Sequence, residues 1–284
     1  MKNGERRNEE TKMFDKGMKI VWFCFLYTAL INGQDNIANS LGIEFVRIPA
    51  GEFRMGRFQP TVSRMVSWGS NEPLNETIYQ EALEKAKHDA VPGFQVKINA
   101  PFYIGKYEIT QAQWKKIMGN NPAYYQQSKV DDKSDLHPVE NITYRMALRF
   151  VHKLNRLEKG KALYRLPTEF EWEYAARAGK QDDISWSEIQ ASAVIARQST
   201  SRVGQKRPNA WGIYDMLGNV WEWTQDYYNE KIFADPVPPN HGKQHVLKGA
   251  SFFGDVKNAT YMTHAAGPGS GYDVGLRLVM ELKK

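Results

Sequence analysis

Cysteine is almost absent from this chain: Cys24 is the only one among 284 residues. A lone cysteine excludes an intramolecular disulfide framework and any site that needs two thiols. Cys24 also lies inside an apolar segment near the N-terminus, residues 20–31. If that segment is removed on export, the mature protein contains no thiol, so its chemistry does not depend on cysteine sulfur.

The sequence also lacks an apolar run long enough for a membrane span. Residues 20–31 give a run of 12, whereas a transmembrane helix needs about 20. Lys16 and Lys19 precede this run, and small or polar residues follow it, which is the order found in a signal peptide. We therefore expect residues 1–33 to be a signal peptide with a polar lead. The protein would then be exported, periplasmic or extracellular, with no stable membrane span after cleavage; an uncleaved anchor is the alternative.

A strong excess of one charge is missing as well. The net charge of +6 comes from 38 Lys and Arg against 32 Asp and Glu, and part of the excess lies in residues 1–33. No basic stripe and no nucleic-acid-binding motif is present, so we expect no nucleic-acid partner. Hydrophobic residues make up 42% and charged residues 25% of the chain, which is ordinary for a globular protein.

The most distinctive segment that is present is GIYDMLGNVWEWTQD, residues 212–226. It places a Gly-Asn turn and two tryptophans among the carboxylates Asp215, Glu222 and Asp226. Carboxylates close to a tight turn can converge on a hard cation, with backbone carbonyls as the remaining ligands. A tight turn anchored under the core by tryptophan is the other interpretation, and the spacing alone does not decide between them.

Three threonines predict helix starts. Thr110, Thr143 and Thr168 each precede a segment with helical spacing of apolar residues, and Thr168 with Glu171 gives the capping-box pattern. The first of these helices is expected to stop at Gly119, because glycine readily adopts the left-handed conformation that ends a helix.

The remaining segments predict strands and loops. Residues 45–55 alternate in polarity around a Pro-Ala-Gly turn, which predicts a hairpin, and residues 102–107 predict a strand. We interpret residues 57–92 as an insertion loop, whose role the sequence does not name, and residues 181–207 as irregular. No linker and no internal repeat is visible, so residues 42–284 are predicted to form one domain.

Six further segments lie before and after the GNVWEW motif in the sequence. They are FVRIPAGEFRMG (45–56), FYIGKYEITQAQW (102–114), HPVENITYRMALRFVHKLN (137–155), YRLPTEFEWEYAARAG (164–179), HVLKGASFF (245–253) and GLRLV (275–279). Together these segments closely resemble the formylglycine-generating enzyme family, also called the sulfatase-modifying factor family. The resemblance implies an α+β fold: a loop-rich variant of the C-type lectin fold with little regular secondary structure.

The resemblance also implies a structural calcium site. In the family, the GNVWEW turn binds Ca²⁺, and the matching ligands are the side chains of Asp215 and Glu222 and the carbonyl groups of Gly218 and Val220. Asp215 stands where the family often has asparagine. A carboxylate is an equally suitable calcium ligand, so we expect Ca²⁺ as a structural cofactor.

The catalytic thiols of the family are missing. Formylglycine-generating members carry two cysteines that bind copper and convert a substrate cysteine to an aldehyde. The matching positions here are Gly254 and Ala259, neither of which binds a soft metal. We therefore expect no catalytic residues of that type and no copper. Ser251, Phe253 and His264 are the candidates for lining the pocket that remains.

Three functions follow from the resemblance and stay open. The first, which we rank highest, is a non-catalytic binding or scaffold protein with an unknown protein or peptide partner, because lectin-like folds display variable loops. The second is an enzyme with different oxidase chemistry, as in family members that act in siderophore maturation without the cysteine pair. The third is the diversified target protein of a retroelement, whose variable region is this C-terminal stretch.

Overall fold

Short strands and short helices make up the part of the chain that the structure describes. In this computed structural model, the described residues are 36–55, 76–77, 80–81, 93–182, 184–233, 236–254, 259–267 and 271–283. The expected signal peptide, residues 1–33, lies outside them. Most of the 57–92 insertion also lies outside them, and its four described residues are helical.

The strands of the described residues form three sheets. They are β1 Ile37–Ala38, β2 Glu44–Ile48, β3 Gly51–Met55, β4 Phe94–Ile98, β5 Phe102–Gly105, β6 Ala162–Arg165, β7 Trp221–Tyr227, β8 His245–Lys248, β9 His264–Ala266, β10 Val274–Gly275 and β11 Val279–Leu282. The five-stranded sheet has the order β1-β2-β5-β11-β6, the four-stranded sheet β10-β7-β8-β9, and the two-stranded sheet β3-β4. The pair β7–β10 is parallel, and the other pairs of these strands are antiparallel.

Three helices begin where the sequence predicts. The α-helices that lie wholly within the described residues are α1 Gln111–Met118, α2 Tyr144–Leu157, α3 Glu169–Arg177 and α4 Trp186–Ser192, and two 3₁₀ turns span Gln127–Lys129 and Ser134–Leu136. The side chains of Thr110, Thr143 and Thr168 each accept a hydrogen bond from the backbone N–H three residues on. Gly119 ends α1 with φ 86°. These predictions are confirmed because capping is a local interaction that the sequence encodes directly.

The five-stranded sheet is buried on both faces. On one face, Val46 lies opposite Ile104 and Ile104 opposite Val279, and all three belong to one hydrophobic core. Phe45 and Met280 point to the other face and belong to a second core. Alternate residues of a strand point to opposite faces, so this sheet separates the two cores. The expected α+β class with little regular structure is confirmed.

Helices α1 and α2 cover the second core. Ala147, Phe150 and Leu154 form the buried face of α2, as their spacing predicts. Trp114 on α1 is fully buried and stacks on Phe150, with ring centroids 5.0 Å apart.

The hairpin predicted at residues 45–55 is wrong. Strands form on both sides of the turn, but β2 pairs with β1 and β5, whereas β3 pairs with β4. Strand β5 pairs along one edge of β2, and β1 pairs with Glu44 and Phe45 on the other edge. Alternating polarity predicts a strand but does not identify its partner.

Residues 181–207 are less irregular than predicted, because they contain α4. Ser185 caps this helix, and Glu188 reaches back to the Ser185 backbone in a capping box. The Ser-x-x-Glu pattern was visible in the sequence and is the signal that would have identified α4.

The described residues contain no helix of sufficient length and apolar character to cross a membrane.

Candidate functional site

Both residues of the Gly-Asn turn before β7 adopt a left-handed backbone conformation. Gly218 has φ 88° and Asn219 has φ 59°. The Gly218 N–H donates to the Gly249 carbonyl at 2.6 Å, and the Asn219 N–H donates to the Val194 carbonyl at 2.7 Å. A Cβ atom at Gly218 would lie 2.0 Å from the Val194 carbonyl oxygen. The turn is therefore fixed between two neighbouring segments, and glycine is required there.

Three buried carboxylates surround this turn. Asp215 and Glu222 were predicted from the sequence, and the structure adds Glu108; their exposed fractions are 3%, 1% and 1%. Glu108 accepts hydrogen bonds from the Asn219 side-chain amide at 2.8 Å and from the Val220 N–H at 3.2 Å. Asp215 Oδ2 accepts from the Gly204 N–H at 2.6 Å, whereas Asp215 Oδ1 is buried without a hydrogen-bond partner.

One buried guanidinium, that of Arg277, faces these carboxylates. It donates to Glu222 at 2.7 and 3.0 Å and to the carbonyls of Gly105 and Tyr214 at 2.9 Å. Glu222 Oε2 also accepts from the Trp172 indole N–H at 2.6 Å. Arg277 is therefore the counter-charge that holds Glu222 in the interior.

The negative charge of this cluster exceeds its positive charge. Burial raises the pKa of Glu108 well above its ordinary value, and the charges of Asp215 and Glu222 raise it further. Burial likewise raises the pKa of Asp215 to about 6. The guanidinium of Arg277 opposes both shifts but does not cancel them. Three carboxylates with one guanidinium would leave an excess charge of −2 if all were ionised.

The negative charge of this cluster is suitable for binding a cation. Only some of its carboxylate oxygens, however, are free to act as ligands. The unpartnered Oδ1 of Asp215 and the excess negative charge favour Ca²⁺. Both oxygens of Glu222, however, already accept hydrogen bonds from Arg277 or Trp172. Among the described residues, no three His, Cys, Asp or Glu side chains are arranged to hold a metal ion. A bound cation would therefore depend on backbone carbonyls, such as those of Gly218 and Val220.

Sequence reasoning missed Glu108 and Arg277, although each carries a readable signal. Arg277 lies between Leu276 and Leu278 in an apolar segment, and Glu108 immediately precedes Ile109 after a predicted strand. A charged residue inside an apolar segment indicates a buried partner of opposite charge. What the sequence does not provide is which distant residue that partner is.

The two cysteine positions of the resemblance contain no side chain that can bind copper. Gly254 is partly buried, and a Cβ atom there would lie 3.2 Å from the Ser251 carbonyl oxygen. Ala259 is fully buried. The residues between them, 255–258, lie outside the described part of the chain.

Phe253 belongs to a chain of aromatic rings in contact, and Ser251 is adjacent in sequence to another member, Phe252. We call this set the aromatic surface; its members are Tyr124, Tyr125, Phe252, Phe253 and Tyr272. The ring-centroid distances are 4.4 Å for Tyr124–Tyr272, 5.1 Å for Tyr124–Tyr125, 5.2 Å for Tyr125–Phe252 and 6.0 Å for Phe252–Phe253. Tyr124 is 40% exposed and Tyr272 is 54% exposed, while Phe252 is buried. The aromatic surface therefore extends from a buried ring, Phe252, to the solvent-exposed rings of Tyr124 and Tyr272.

Two carboxylates lie behind the aromatic surface. Asp273 Oδ2 accepts a hydrogen bond from the buried Ser251 hydroxyl at 2.7 Å, and burial raises the pKa of Asp273. Glu140 is fully buried; its Oε1 accepts from the Tyr125 N–H at 2.8 Å, and its Oε2 is buried without a partner. Burial raises the pKa of Glu140 to about 7.

His264, the third predicted pocket residue, has a different set of neighbours. Its Nδ1 lies 3.0 Å from Glu169 Oε1, which is within ion-pair distance. The rings of Tyr228 and Phe233 lie 5.1 and 4.9 Å from the His264 ring. His264 is therefore part of a buried charged cluster on α3 rather than of the aromatic surface.

That charged cluster extends along α3. Glu173 pairs with Arg177 at 2.9 Å and with Lys248 at 3.1 Å, and all three are buried. Burial alone would raise the pKa of Glu169, but the adjacent His264 and Lys248 hold it below its ordinary value. Glu169 and Glu173 therefore form buried ion pairs, in addition to their favourable position near the N-terminal end of α3.

Comparison with known families gives one match that spans most of the chain. The model of the sulfatase-modifying factor enzyme 1-like domain matches residues 35–282. This range includes the turn before β7, the aromatic surface and the buried charged cluster.

Two relatives show the breadth of this similarity. The chain is 28% identical over 235 residues to chaperone protein LppX of Paenibacillus barcinonensis. This alignment covers 63% of this chain and 79% of that protein. It is 26% identical over 261 residues to the formylglycine-generating enzyme of Mus musculus. That alignment covers 74% of this chain and 66% of the enzyme.

Solved structures share the fold. Treponema denticola variable protein 1 superposes with a TM-score of 0.68 at 24% identity, covering 88% of this chain and all of that one. PvdO from Pseudomonas aeruginosa superposes with a TM-score of 0.64 at 22% identity, covering 88% and 98%. These similarities confirm the formylglycine-generating-enzyme variant of the C-type lectin fold. With a single cysteine, the chain cannot carry the two-cysteine site. It belongs to the sulfatase-modifying factor enzyme 1-like family and is a member without the active-site cysteine pair.

Proposed function

We propose that this protein is an exported, non-catalytic binding protein that holds a protein or peptide partner at the aromatic surface. The observation that carries the proposal is the exposure of Tyr124 and Tyr272, 40% and 54%, which are connected through the Tyr125 ring to buried Phe252. Tyrosine offers a large contact area at low conformational entropy, and exposed tyrosines over a packed base are typical of binding hot spots. The proposed export rests on the signal-peptide pattern at residues 1–33.

The similarity to LppX supports a protein partner. That relative is named a chaperone, and this chain matches 79% of its length. A chaperone binds polypeptide without changing its covalent structure, which agrees with a family member that lacks the cysteine pair. The proposed partner is therefore a polypeptide segment with apolar or aromatic side chains.

A displayed random-peptide library provides the test. Peptides selected on the wild-type protein should lose affinity about tenfold or more for a Tyr124→Ser/Tyr272→Ser variant, since hot-spot residues dominate binding energy. Leu157→Ser is the matched control, because Leu157 is also 54% exposed but lies at the end of α2. Failure to enrich any peptide, or equal affinity for all three proteins, would contradict the proposal.

We expect no formylglycine-generating activity. Copper(I) prefers thiolate ligands, and Gly254 and Ala259 supply none. The purified protein, incubated with a Cys-X-Pro-X-Arg peptide, copper and oxygen, should form no more aldehyde than copper alone, as measured by mass spectrometry. Turnover above that control would contradict the non-catalytic proposal.

We also propose that the carboxylate cluster at the turn before β7 binds one Ca²⁺. Asp215 and Glu222 would be the side-chain ligands, and the carbonyls of Gly218 and Val220 would complete the set. Supporting this are the excess negative charge of the cluster and the unpartnered Oδ1 of Asp215. When bound, the ion would neutralise carboxylates and stabilise the folded turn.

Removal of calcium should lower the melting temperature. At a hundredfold excess over Kd, a ligand that binds only the folded state stabilises by about 2.7 kcal/mol, or roughly 5–10 °C for a chain of this size. Excess EGTA should reverse that shift, and Asp215→Ala, which removes the side-chain oxygens, should greatly reduce it. Asp226→Ala, which removes a carboxylate of the same segment outside the ligand set, should keep the response. A wild-type melting temperature that is unchanged by EGTA would contradict the calcium proposal.

A catalytic role is the second candidate, and Glu140 is the observation that favours it. Its pKa of about 7 is suitable for a general base near neutral pH, and Asp273 and Ser251 lie nearby. This chemistry would differ from that of the thiol-dependent members. Loss of a measured activity in Glu140→Gln, with the fold intact, would place catalysis ahead of binding.

A further inference from the structure

A cleft of about 370 Å³ lies between the end of α3, helix α4 and residues 207–210. None of its lining residues belongs to the aromatic surface. Its volume is at the small end of the range for ligand pockets, about 300–1,000 Å³. This cleft could not be predicted from the sequence analysis, which did not predict α4.

The walls of the cleft are fixed by hydrogen bonds. The Asn209 side chain donates to the carbonyls of Ala175 and Ala176 on α3 at 2.8 and 3.2 Å. The Arg207 N–H donates to the Ala191 carbonyl on α4 at 3.0 Å. Residues 207–210 are thus attached to both helices, and the cleft is formed before any ligand arrives.

Positive charge predominates around the opening. Lys180 and Arg207 line the cleft with one carboxylate, Glu188, which is paired with Lys180. Burial lowers the pKa of Lys180, and repulsion from Arg207 lowers it further. Within the described ranges, no carboxylate lies at ion-pair distance from Arg207. The cleft therefore has an unmatched cation close to a second one.

The floor adds a rigid cation and an aromatic ring. Arg177 also lines the cleft, and its guanidinium is held by Glu173 at 2.9 Å. The ring of Tyr261 lies 5.5 Å from this guanidinium and is buried. Pro208 and Ala191 contribute apolar wall. The floor therefore offers a flat, mostly apolar contact beside a fixed positive charge.

We propose that this cleft binds a small organic oxyanion, a carboxylate or a phosphate ester, with a compact apolar body. Arg207 and Lys180 would hold the head group by charge-assisted hydrogen bonds. Tyr261 and Pro208 would contact the apolar body. An oxyanion would supply the charge that Arg207 lacks and relieve its repulsion with Lys180. This site is separate from the proposed peptide-binding surface, and either proposal can fail without the other.

Ligand-observed NMR with benzoate, phenyl phosphate and neutral benzamide tests the inference. At millimolar concentration, at least one anion should bind and benzamide should not. Preference between benzoate and phenyl phosphate identifies the head group. Raising the salt concentration should weaken binding, because the head-group contacts are partly exposed.

Two single-residue variants test whether the anion binds in this cleft. Arg207→Gln should weaken binding of the preferred anion about tenfold or more, without loss of fold because Arg207 is exposed. Lys206→Gln is the matched control: it removes one positive charge from the adjacent residue, whose side chain points to the Gln190 carbonyl, and should leave binding nearly unchanged. Equal binding of benzamide, no binding of either anion, or equal loss in both variants would overturn the proposal.

Discussion

Arg277→Met should lower the free energy of unfolding by about 3–5 kcal/mol, the usual effect of removing one partner of a buried ion pair. The guanidinium is completely buried and is the positive charge nearest to Glu222. Without it, Glu222 would keep only the Trp172 indole N–H as a described side-chain partner, and Glu108 and Asp215 would lose their compensating charge. Urea denaturation followed by tryptophan fluorescence measures the change.

The loss of stability in Arg277→Met should be larger at neutral pH than at acidic pH. A carboxyl group whose pKa is higher in the folded than in the unfolded state reduces stability as pH rises through the interval between the two values. The pKa of Asp215 is raised to about 6 and that of Glu108 well above its ordinary value. Removing Arg277 raises both further, so the variant should be most destabilised at neutral pH. The difference from wild type should shrink as the pH falls toward about 4.

Arg165→Met is the matched control. Arg165 also forms a two-bond pair, with Glu171 at 2.6 and 2.7 Å, but its side chain is 25% exposed. Partly exposed pairs contribute about 1 kcal/mol or less. Equal losses in the two variants, or a loss in Arg277→Met that does not vary with pH, would show that the carboxylate cluster does not control stability.

The local features of this fold could be predicted from sequence, and the long-range ones could not. Thr110, Thr143 and Thr168 were correctly predicted as helix caps because a cap bonds to a backbone group three residues away. The partner of β2 was not predictable in the same way. Its neighbour in the sheet, β5, begins more than fifty residues later, and strand polarity alone does not specify a distant partner.

Long-range partners in the candidate functional site could not be predicted from sequence either. The GNVWEW segment indicated Asp215 and Glu222, but their environment depends on Glu108 and Arg277, which come from distant segments. Grouping Ser251 and Phe253 was reasonable because they are neighbours in sequence. His264 follows them closely as well, yet β9 places its ring against Glu169 on α3. Proximity in sequence therefore does not show which side chains lie together in the fold.

Gly218→Ala should destabilise the protein by about 2–5 kcal/mol, combining left-handed strain with overpacking against a neighbouring backbone. Gly218 has φ 88°, and an added Cβ would lie 2.0 Å from the Val194 carbonyl oxygen and 2.8 Å from Ile195 Cγ2. A carbonyl group cannot move aside as a flexible side chain can. The backbone near Val194 or the turn itself must therefore shift, which would also disturb the carbonyl of Gly218 proposed as a calcium ligand.

Gly119→Ala separates the two causes of this loss. Gly119 has nearly the same backbone angle, φ 86°, but an added Cβ there would meet no atom within 4 Å. That variant should lose only the strain, about 1–2 kcal/mol, and should keep its melting response to EGTA. Gly218→Ala should show the larger loss in urea denaturation and a weaker response to EGTA. If the two alanine variants unfold at the same urea concentration, close contact with Val194 is not what requires glycine in this turn. The conformation alone would then explain the Gly-Asn sequence.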